Sequence, residues 1–500
     1  MKTTVSVISA VALAAALQAT TAAAASEADV RAIAALPGEP SHVAAGGLTK
    51  ADERILTLEN AGAFDSTASA RRLVLVGGFD GDEKSAETVL ALVRWFKTAA
   101  PAQTKRAWVV SALPAAAFDA ADHASLERWI TFQAPDVLVE VRGDGAAFDT
   151  SSMKPTVVPP GTSGAALGRI LAAAPAGKSQ IHQEIDRRVS RPPLEIAKLL
   201  ASRYPETPSI SYIPSVAWIN TLKLSKLIND PALADKVRRQ TAPWVSGAQP
   251  LFGDRILLTS VAGTMVFAEL GGEATRLAAE GARLAAAMKP SGIAEYGQGW
   301  TDDMFMASSI LTRVGDFDSA ARLLTGYVQR LQRPDGIFMH ATDGPFAWGR
   351  GNGFAALGMA EFLTAAPQSH ASRESILAAY RRQMQALVAQ QSPDGMWRQV
   401  IDEPGSYREE TATAMLTTAI ARGIARGWLD ASFNAVVARA WRGLAAHVKE
   451  DATLVDVCTG TGVGPTKRYY LDRAAITGAD DRGGAMALLA AMEVVNLKAR

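Results

Sequence analysis

The feature that most constrains the fold is an internal repeat in the C-terminal half of the chain. Residues 387–397 (LVAQQSPDGMW) repeat residues 327–338 (YVQRLQRPDGIF): an amphipathic helix pattern, then Pro-Asp-Gly, then an apolar-aromatic pair. Residues 288–293 (MKPSGI) are a fainter third copy. Pro-Asp-Gly is turn chemistry that follows a helix end, and the spacing fits one helical hairpin per repeat. Helical periodicity continues from Leu194 to the C-terminus, so this half is predicted to be all α.

Each turn is followed by a polar loop and then by a helix rich in small side chains. These helices are expected to begin near Asp303, Asn352, Glu410 and Gly483. Small residues let helices pack closely on one another, so these four are candidates for the inner helices of a ring. The polar groups that precede these helices then gather at one end of the ring. The pattern predicts an α/α toroid over residues 186–500 with a pocket in its mouth.

Residues 1–25 predict a secretory signal peptide. Lys2 precedes an apolar run from Val5 to Leu17, and small residues follow in Ala-x-Ala triplets. The alternative is a buried Ala-rich helix. We expect a periplasmic or secreted protein with no membrane contact after cleavage. Cys458 is the single cysteine, so an exported chain has no internal disulfide and depends on the size of its core.

Composition excludes several classes of protein. The 500 residues are 48% hydrophobic and 20% charged, a balance typical of globular proteins and not of disordered ones. The formal net charge is +1, so no overall electrostatic field favours nucleic acid or an anionic membrane. We therefore expect no nucleic-acid partner.

Residues 26–185 are predicted to form an α/β domain. Apolar runs such as RRLVLVGGF and DVLVEVRGD alternate with helical stretches between Arg71 and Gly145, which is typical of a mostly parallel, buried sheet. Residues 30–70 are interpreted as an extended lead-in, and residues 143–193 as a loop-rich closing segment.

This N-terminal segment resembles the zinc carboxypeptidase fold, whose first strand ends in a Gly-rich His-Gly-x-Glu turn. Glu83 matches the family's metal-binding Glu, whereas Asp80 stands in place of the first metal-binding His and Arg142 in place of another. None of the six histidines has a spacing that recreates a zinc site. The resemblance implies a domain that has lost its metal centre and serves as a structural or binding appendage.

The candidate active site lies between Trp300 and Phe354. Two adjacent carboxylates, Asp302 and Asp303, begin one helix-like run, and Arg350 and Asn352, spaced by glycines, begin another. A chain without a polar pocket has little reason to bring these groups so close to two apolar helices.

Seven motifs occur in the same order as in the unsaturated rhamnogalacturonyl and glucuronyl hydrolases, which this chain resembles over residues 195–495. The motif from Trp348 to Phe354, W-x-R-G-N-G-aromatic, is the most diagnostic. The others are Trp300-x-Asp302-Asp303-x-Phe305-Met306, Asp335-Gly-x-x-x-His340, Trp397-x-Gln399, Glu410-Thr-Ala-Thr-Ala-Met415, Gly460-Thr-Gly462 and Gly483-Gly-Ala485. The resemblance implies a six-hairpin (α/α)6 barrel that removes a terminal 4,5-unsaturated uronic acid from lyase-generated oligosaccharides, with no cofactor and no metal.

The resemblance also implies that Asp302 is the catalytic acid and base. One carboxylic acid can protonate C4 of the substrate's vinyl ether and then accept a proton from the water that attacks C5. For that role Asp302 should be largely protonated when substrate binds, which burial and the charge of Asp303 would favour. Alternatively, Asp302 and Asp303 cap a helix N-terminus. The family's second Asp is expected in the preceding hairpin, where Asp254 is the nearest candidate.

The remaining candidates are substrate-binding side chains, each with a structural alternative. Arg350 is suited to the uronate carboxylate or to a structural ion pair. Asn352 could bind a hydroxyl or cap its helix, and His340 could contact sugar or water or lie in the core. Trp300, Trp348 and Trp397 could offer flat faces to a sugar ring or pack in the core. Glu410 could be a pocket carboxylate or the N-terminal charge of its helix.

Three hypotheses follow for the whole chain. The first is the unsaturated uronide hydrolase, which we favour. The second is a non-catalytic carbohydrate-binding toroid, in which the acidic helix start is only a cap. The third is a peptidase acting through the N-terminal domain, which the missing histidines disfavour.

Overall fold

The structure, a computed structural model, describes residues 27–38, 41–60, 69–79, 81–118, 123–143, 150 and 153–499. The described residues divide into two compact units, one ending at His182 and the other starting at Gln183. The predicted signal peptide and Asp80 lie outside the described residues. No helix in the described part of the chain is both long enough and apolar enough to span a membrane.

The first unit is an α/β domain. Its elements are α1 (Glu27–Ala34), β1 (His42–Leu48), β2 (Arg54–Glu59), β3 (Arg71–Phe79), α2 (Glu83–Thr98), α3 (Ala102–Ala107), β4 (Trp108–Phe118), α4 (His123–Gln133), β5 (Val137–Val141), β6 (Thr156–Val158) and α5 (Gly164–Ala173). The chain boundary between the units falls within α6 (Gln180–Ser190), close to the predicted boundary at residue 185.

The six described strands form one mixed sheet in the order β1-β2-β4-β3-β5-β6. The neighbours from β4 through β3 and β5 to β6 are parallel, whereas β2 is antiparallel to both β1 and β4. The prediction of a mostly parallel sheet therefore holds for β3 to β6 and is wrong for the β1–β2 edge.

After Arg71 and Arg72, the central strand β3 is a continuous apolar run because helices cover both of its faces. Leu73 and Leu75 belong to a core cluster that includes residues of α1, α2 and α5. Val74 and Val76 belong to a second cluster that includes residues of α4. Burial on both faces is what produces a continuous apolar run, as expected for the interior of a parallel sheet.

Two interpretations of this half were wrong. The extended lead-in contains α1, β1 and β2, and the loop-rich segment contains β6, α5 and α6. The glycines and alanines of β1 (HVAAGGL) hide its alternation. Helix α6 is mostly polar, and only a few of its side chains, such as Ile185 and Val189, are apolar and buried, so its low overall hydrophobicity is typical of a loop.

The second unit is almost entirely helical. Its elements are α7 (Pro193–Arg203), α8 (Tyr212–Ile228), α9 (Pro231–Val245), α10 (Leu258–Gly263), α11 (Met265–Leu270), a 3-10 turn (Gly272–Ala274), α12 (Thr275–Ala285), α13 (Thr301–Val314), α14 (Phe317–Leu331), α15 (Gly349–Ala365), α16 (Arg373–Ala389), α17 (Glu410–Ala425), α18 (Phe433–His447), β7 (Leu454–Cys458), α19 (Lys467–Leu471), β8 (Ala475–Gly478) and α20 (Asp481–Lys498). Strands β7 and β8 form an antiparallel pair.

These helices form the predicted α/α toroid. In residues 183–499, all of which are described, six inner segments contact one another in a closed ring: α8, α10 with α11, α13, α15, α17 and α20. An outer helix packs beside each of them: α9, α12, α14, α16, α18 and, next to α20, α7. The first helix of the unit thus completes the hairpin of the last one.

Small residues bring the inner helices close together, as predicted. A side chain at Gly358 of α15 would place its Cβ 2.3 Å from the carbonyl oxygen of Met304 in α13. The expected inner-helix starts near Asp303, Asn352, Glu410 and Gly483 correspond to α13, α15, α17 and α20. The first turns of these helices and the loops that precede them hold the candidate site.

Candidate active site

The first turn of α13 carries two adjacent carboxylates in different surroundings. The side chain of Asp302 is 14% exposed, whereas Asp303 is buried. Neither is the N-cap residue, which is Trp300, and the Trp300 side chain makes no capping hydrogen bond. The alternative that Asp302 is the N-cap of this helix therefore does not hold.

Asp303 is tied into the protein interior. Its Oδ2 accepts hydrogen bonds from the Gly299 amide at 2.7 Å, the Gln298 amide at 3.0 Å and the Tyr327 hydroxyl at 2.7 Å. Burial raises the pKa of Asp303 to about 6 against the effect of these donors, and the charge of Asp302 adds to the rise. This is the geometry of a structural carboxylate that joins α14 to the loop that precedes α13. Substrate contact by Asp303 stays a prediction.

Asp302 is linked to two buried side chains. Its Oδ2 lies 3.2 Å from Nε2 of His340, and Nδ1 of His340 lies 3.0 Å from the hydroxyl of Tyr470. Burial raises the pKa of Tyr470 to about 12, so the phenol keeps its proton. The phenol oxygen accepts from the Gly464 amide at 3.4 Å, which leaves its proton for Nδ1. In the neutral imidazole Nδ1 is then the acceptor, so the single ring proton lies on Nε2 and is donated to Asp302.

Aromatic rings surround His340. The ring centroid of Trp348 lies 4.5 Å from that of His340, and the centroid of Trp300 lies 5.3 Å away on another side. Trp348 is buried, whereas Trp300 is partly exposed. Trp397 is buried and donates from Nε1 to the carbonyl of Leu387, so it has the core role. Of the three tryptophans, Trp300 offers a solvent-accessible face beside Asp302.

Arg350 lies over Trp348 with its guanidinium carbon 4.7 Å from the ring centroid. It is buried, and its Nη1 and Nη2 donate to the carbonyl oxygens of Cys458 at 2.7 Å and Thr459 at 2.8 Å. Among the described residues, no carboxylate forms an ion pair with this guanidinium, so the structural ion pair considered for it is not formed. Contact with the uronate carboxylate stays a prediction for Arg350.

Asn352 holds a loop in place. Its Oδ1 accepts from the Phe338 amide at 2.9 Å, and its Nδ2 donates to the carbonyls of Phe338 at 2.9 Å and Trp348 at 3.0 Å. Asn352 is fully buried. These contacts fasten the loop that carries His340 to the start of α15, and hydroxyl binding by Asn352 stays a prediction.

Two consecutive glutamates begin α17. Glu409 is the N-cap residue, and its carboxylate accepts from the amides of Thr411, Ala412 and Cys458. Glu410 is also fully buried, but neither of its carboxyl oxygens has a hydrogen-bond partner among the described residues. Burial, together with the charges of Glu409 and Asp480, raises the pKa of Glu410 well above its usual range, which favours the neutral form of its carboxyl.

The structure does not bring Asp254 to the other candidates. Asp254 is exposed in the loop before α10. Among the described residues it makes no hydrogen bond or ion pair with Asp302, His340 or Arg350. Its role as the second family Asp stays a prediction.

Three residues of this mouth were missed by sequence reasoning: Tyr212, Tyr470 and Arg482. Tyr212 and Arg482 lie at the starts of the inner helices α8 and α20, the position that Asp302 occupies in α13. Comparing the first turns of all the inner helices could have found both. Tyr470 lies in the connection between β7 and β8, and nothing in the sequence near it indicates its contact with His340.

Residues 292–498, which include most of this site, match the family model described as Glycosyl Hydrolase Family 88. The chain is 31% identical over 181 residues to the unsaturated rhamnogalacturonyl hydrolase YesR of Bacillus subtilis, covering 33% of this chain and 51% of the relative. It is 29% identical over 110 residues to an unsaturated 3S-rhamnoglycuronyl hydrolase of Alteromonas, covering 21% of this chain and 27% of the relative. This chain therefore spans about half, or less, of the length of these relatives.

Solved structures share the fold of the helical unit. A possible member of the GH105 family from Salmonella enterica aligns with a TM-score of 0.54 at 19% identity, covering 61% of this chain and 93% of that one. A family 105 glycoside hydrolase from C. acetobutylicum aligns with a TM-score of 0.55 at 18% identity, covering 60% of this chain and 99% of that one. At these identities the similarity extends to the helical toroid and not to the roles of residues.

Proposed function

We propose that this protein is a hydrolase that removes a terminal 4,5-unsaturated uronic acid from lyase-generated oligosaccharides. The observation that carries the proposal is the partly exposed carboxyl of Asp302, hydrogen-bonded to His340 at the mouth of the toroid. Both residues lie within the segment that matches Glycosyl Hydrolase Family 88. Relatives named for the hydrolysis of unsaturated uronides support the same reaction.

The chemistry requires one proton donor near C4 of the substrate. Asp302 protonates C4 of the C4=C5 bond, and positive charge develops on C5 and the ring oxygen. Water adds to C5 as the Asp302 carboxylate takes a proton from it. The resulting hemiketal opens to a ketone at C5, and the hemiacetal left at C1 releases the neighbouring sugar. One water is consumed, and Asp302 recovers its proton.

The surroundings of Asp302 fit this cycle. His340 donates to Oδ2 of Asp302 and so leaves Oδ1 to exchange the proton with substrate and water. The partly exposed ring of Trp300 beside the acid offers an apolar face to the unsaturated ring. This arrangement uses a single carboxyl group, unlike glycosidases in which two carboxylates flank the scissile bond.

The test is the loss of ultraviolet absorbance of the C4=C5 bond in unsaturated disaccharides from pectin and from glycosaminoglycans. We expect the wild-type protein to remove the absorbance and Asp302→Asn to lower kcat by about 10²- to 10⁴-fold while the fold is kept. Asp318→Asn, at an exposed position on α14, is the matched control. Normal turnover by Asp302→Asn would remove Asp302 from the mechanism. A flat trace from wild-type protein on every substrate would instead favour a toroid that only binds carbohydrate.

For the first unit we propose a structural or binding role, as a carboxypeptidase-like domain without a metal centre. Asp82 and Arg142 follow the carboxyl ends of the parallel strands β3 and β5, where such sheets bind ligands. Among the described residues no group of three or more His, Cys, Asp and Glu side chains could hold a metal ion. Stoichiometric zinc in the purified protein, with peptidase activity, would contradict this role.

We also propose export to the periplasm or the medium, on the strength of the charged and apolar segments in residues 1–25. N-terminal sequencing of protein recovered from a periplasmic fraction should find cleavage near Ala25. A full-length N-terminus in the cytoplasmic fraction would contradict this.

A further inference from the structure

Two guanidinium groups in the mouth of the toroid share one hydrogen-bond acceptor. Nη1 of Arg350 donates to the carbonyl oxygen of Cys458 at 2.7 Å, and Nη1 of Arg482 donates to the same oxygen at 3.0 Å. The two cationic groups are therefore neighbours that face a neutral dipole. Like charges held this close repel each other, and an anion placed between them would relieve the repulsion.

The nearby carboxyl groups do not supply that anion. Glu409 is occupied by backbone amides, and neither carboxyl oxygen of Glu410 has a hydrogen-bond partner among the described residues. Asp480 caps α20 by accepting from the amides of Arg482 at 2.9 Å and Gly483 at 2.8 Å. Its closest oxygen lies 3.9 Å from Nη1 of Arg482, which is beyond hydrogen-bond distance. Among the described residues, neither guanidinium has a carboxylate as a hydrogen-bond partner.

Arg350 and Arg482 differ in access to solvent. Arg350 is 2% exposed, and both of its terminal nitrogens donate to backbone carbonyls. The side chain of Arg482 is 19% exposed. A ligand in the mouth can therefore contact Arg482 directly, whereas the buried Arg350 can attract the ligand only through its charge.

The phenol of Tyr212 is influenced by the charges of both Arg482 and the acid–base residue Asp302. Burial raises the pKa of the Tyr212 phenol, the charges of Arg350 and Arg482 oppose the rise, and the charge of Asp302 adds to it. All three charged groups are thus within electrostatic reach of one phenol oxygen. The edge of the Tyr212 ring also lies against Phe354, with the centroids 5.5 Å apart.

We propose that Arg482 is a substrate-binding residue that holds the carboxylate of the unsaturated uronic acid, with Arg350 behind it as a buried supporting charge. The proposal rests on the proposed function. A guanidinium suits a carboxylate because its donors match both oxygens in one plane. In the resulting complex the carboxylate on C5 is held near the guanidinium pair, and C4 faces Asp302.

The test compares a charged substrate with a neutral one. For Arg482→Gln we expect KM for the unsaturated uronide to rise about 10- to 100-fold, with a smaller change in kcat. We expect little change in KM for the methyl ester of the same substrate, which has no negative charge. Arg468→Gln, at an exposed arginine of α19, is the matched control and should behave as wild type. Equal effects of Arg482→Gln on acid and ester, or none on either, would overturn the proposal.

A binding experiment separates this proposal from the proposed function. Free galacturonate or glucuronate should raise the Tm of the wild-type and Arg468→Gln proteins, and galactose should not. Arg482→Gln should lose the uronate-dependent shift, and Arg482→Lys should keep part of it because the charge remains. Inactive wild-type protein with this binding pattern would overturn the hydrolase and keep the anion site. A uronate shift that survives in Arg482→Gln, or is absent from wild type, would overturn the site.

Discussion

At the scale of single residues, adjacent side chains in this site have opposite roles. Asp302 faces the mouth and His340, whereas Asp303 points into the interior and binds two amides and a hydroxyl. Glu409 and Glu410 differ in the same way, because one is fully hydrogen-bonded and the other has no partner among the described residues. In a helix, neighbouring residues project about 100° apart, so a pair of acids at a helix start meets two environments.

Asp303 should make stability depend on pH. Its pKa rises from 3.8 to about 6 on folding, so its favourable contribution is complete below pH 3.8 and is lost as the pH rises through 6. Relative to Asp303→Asn, which cannot ionise, wild-type protein should lose roughly 3 kcal/mol between pH 4 and pH 8. Urea unfolding of both proteins at several pH values measures this difference. Parallel pH profiles for the two proteins would contradict the assignment.

The sequence could predict which residues gather here but not which way they face. The resemblance named Asp302, His340 and Arg350, and the structure brings these residues together. The resemblance did not indicate Tyr470 or Arg482. The contact of Tyr470 joins residues more than a hundred positions apart in the chain, and that of Arg482 joins residues about twenty positions apart. Asp254 was chosen by its distance along the chain alone, and its exposed loop makes no contact with the cluster among the described residues.

At the scale of elements, one turn recurs after the outer helices. In each copy an amide near the helix end donates to the carbonyl four residues later, and the amide three residues later donates back to the carbonyl of the first residue. The first donor and last acceptor are Lys289 and Ile293, Arg333 and Ile337, Ser392 and Met396, and Lys449 and Thr453. The first three copies were predicted from their glycines. The fourth was missed because Ala452, with φ 64°, stands where the others have glycine.

The turns also join neighbouring hairpins. Nε2 of Gln332 donates to the carbonyl of Ala379 in α16 at 2.9 Å, and Nε2 of Gln391 donates to the carbonyl of Val436 in α18 at 3.0 Å. These two turns are therefore fastened to the next outer helix. The same local sequence thus places successive loops at the mouth in equivalent positions.

Replacing the glycine of a turn by alanine should destabilise the protein to a different degree at different turns. Gly395 has φ 90°, and a Cβ there would lie 2.1 Å from the carbonyl oxygen of Arg439. Gly395→Ala should therefore destabilise the protein by about 3 kcal/mol, from the left-handed conformation and the clash together. Gly292→Ala is the matched control, because φ is 77° and the nearest atom is a flexible Arg330 nitrogen at 3.5 Å.

Only the cost of the backbone conformation applies to Gly292→Ala, and its expected destabilisation is about 1 kcal/mol. Chemical unfolding followed by circular dichroism measures both variants. Equal losses of stability in the two variants would show that the close approach to Arg439 is unimportant.

At the scale of the helical unit, the inner helices carry a ring of alternating charges near their C-terminal ends. Each of the six inner segments contributes one residue: Lys223, Glu269, Arg313, Glu361, Arg422 and Glu493. Arg313 pairs with Glu269 at 3.3 Å and with Glu361 at 2.8 Å. Arg422 pairs with Glu361 at 2.7 Å and with Glu493 at 2.5 Å. The active-site residues occupy the opposite, N-terminal ends, so the ring is separate from the site.

This ring was not predicted, although the toroid was. Helical periodicity and repeated turns identify hairpins from local sequence, and the resemblance implied that there are six. The charges lie on helices far apart in the chain, and each one alone is typical of a solvated helix end. The mixed sheet of the first unit was missed for a similar reason, because the pairing of β2 with β4 joins strands separated by β3.

The ring should hold the inner helices together as one cooperative unit. Although burial acts to raise it, the charges of Arg313, Arg422 and Lys223 keep the pKa of Glu361 well below its usual 4.5. The stabilisation is therefore present at neutral pH and lost as the pH falls below that value. Arg422→Met leaves Glu361 and Glu493 without this partner in a buried place, so we expect a loss of about 3 to 5 kcal/mol at pH 7.

A second substitution distinguishes lost pairing from lost packing. Burial lowers the pKa of Lys223, so the cost of desolvation offsets much of the attraction between its charge and the ring, and Lys223→Met should change stability by about 1 kcal/mol or less. Adding Glu361→Gln to Arg422→Met removes one of the unpaired carboxylates and should restore part of the lost stability. Chemical unfolding at pH 7 of Arg422→Met, Glu361→Gln, Lys223→Met and the double variant measures these differences. Additive losses in the double variant would mean that the charges act independently, and the inner helices would then depend on apolar packing alone for their closure.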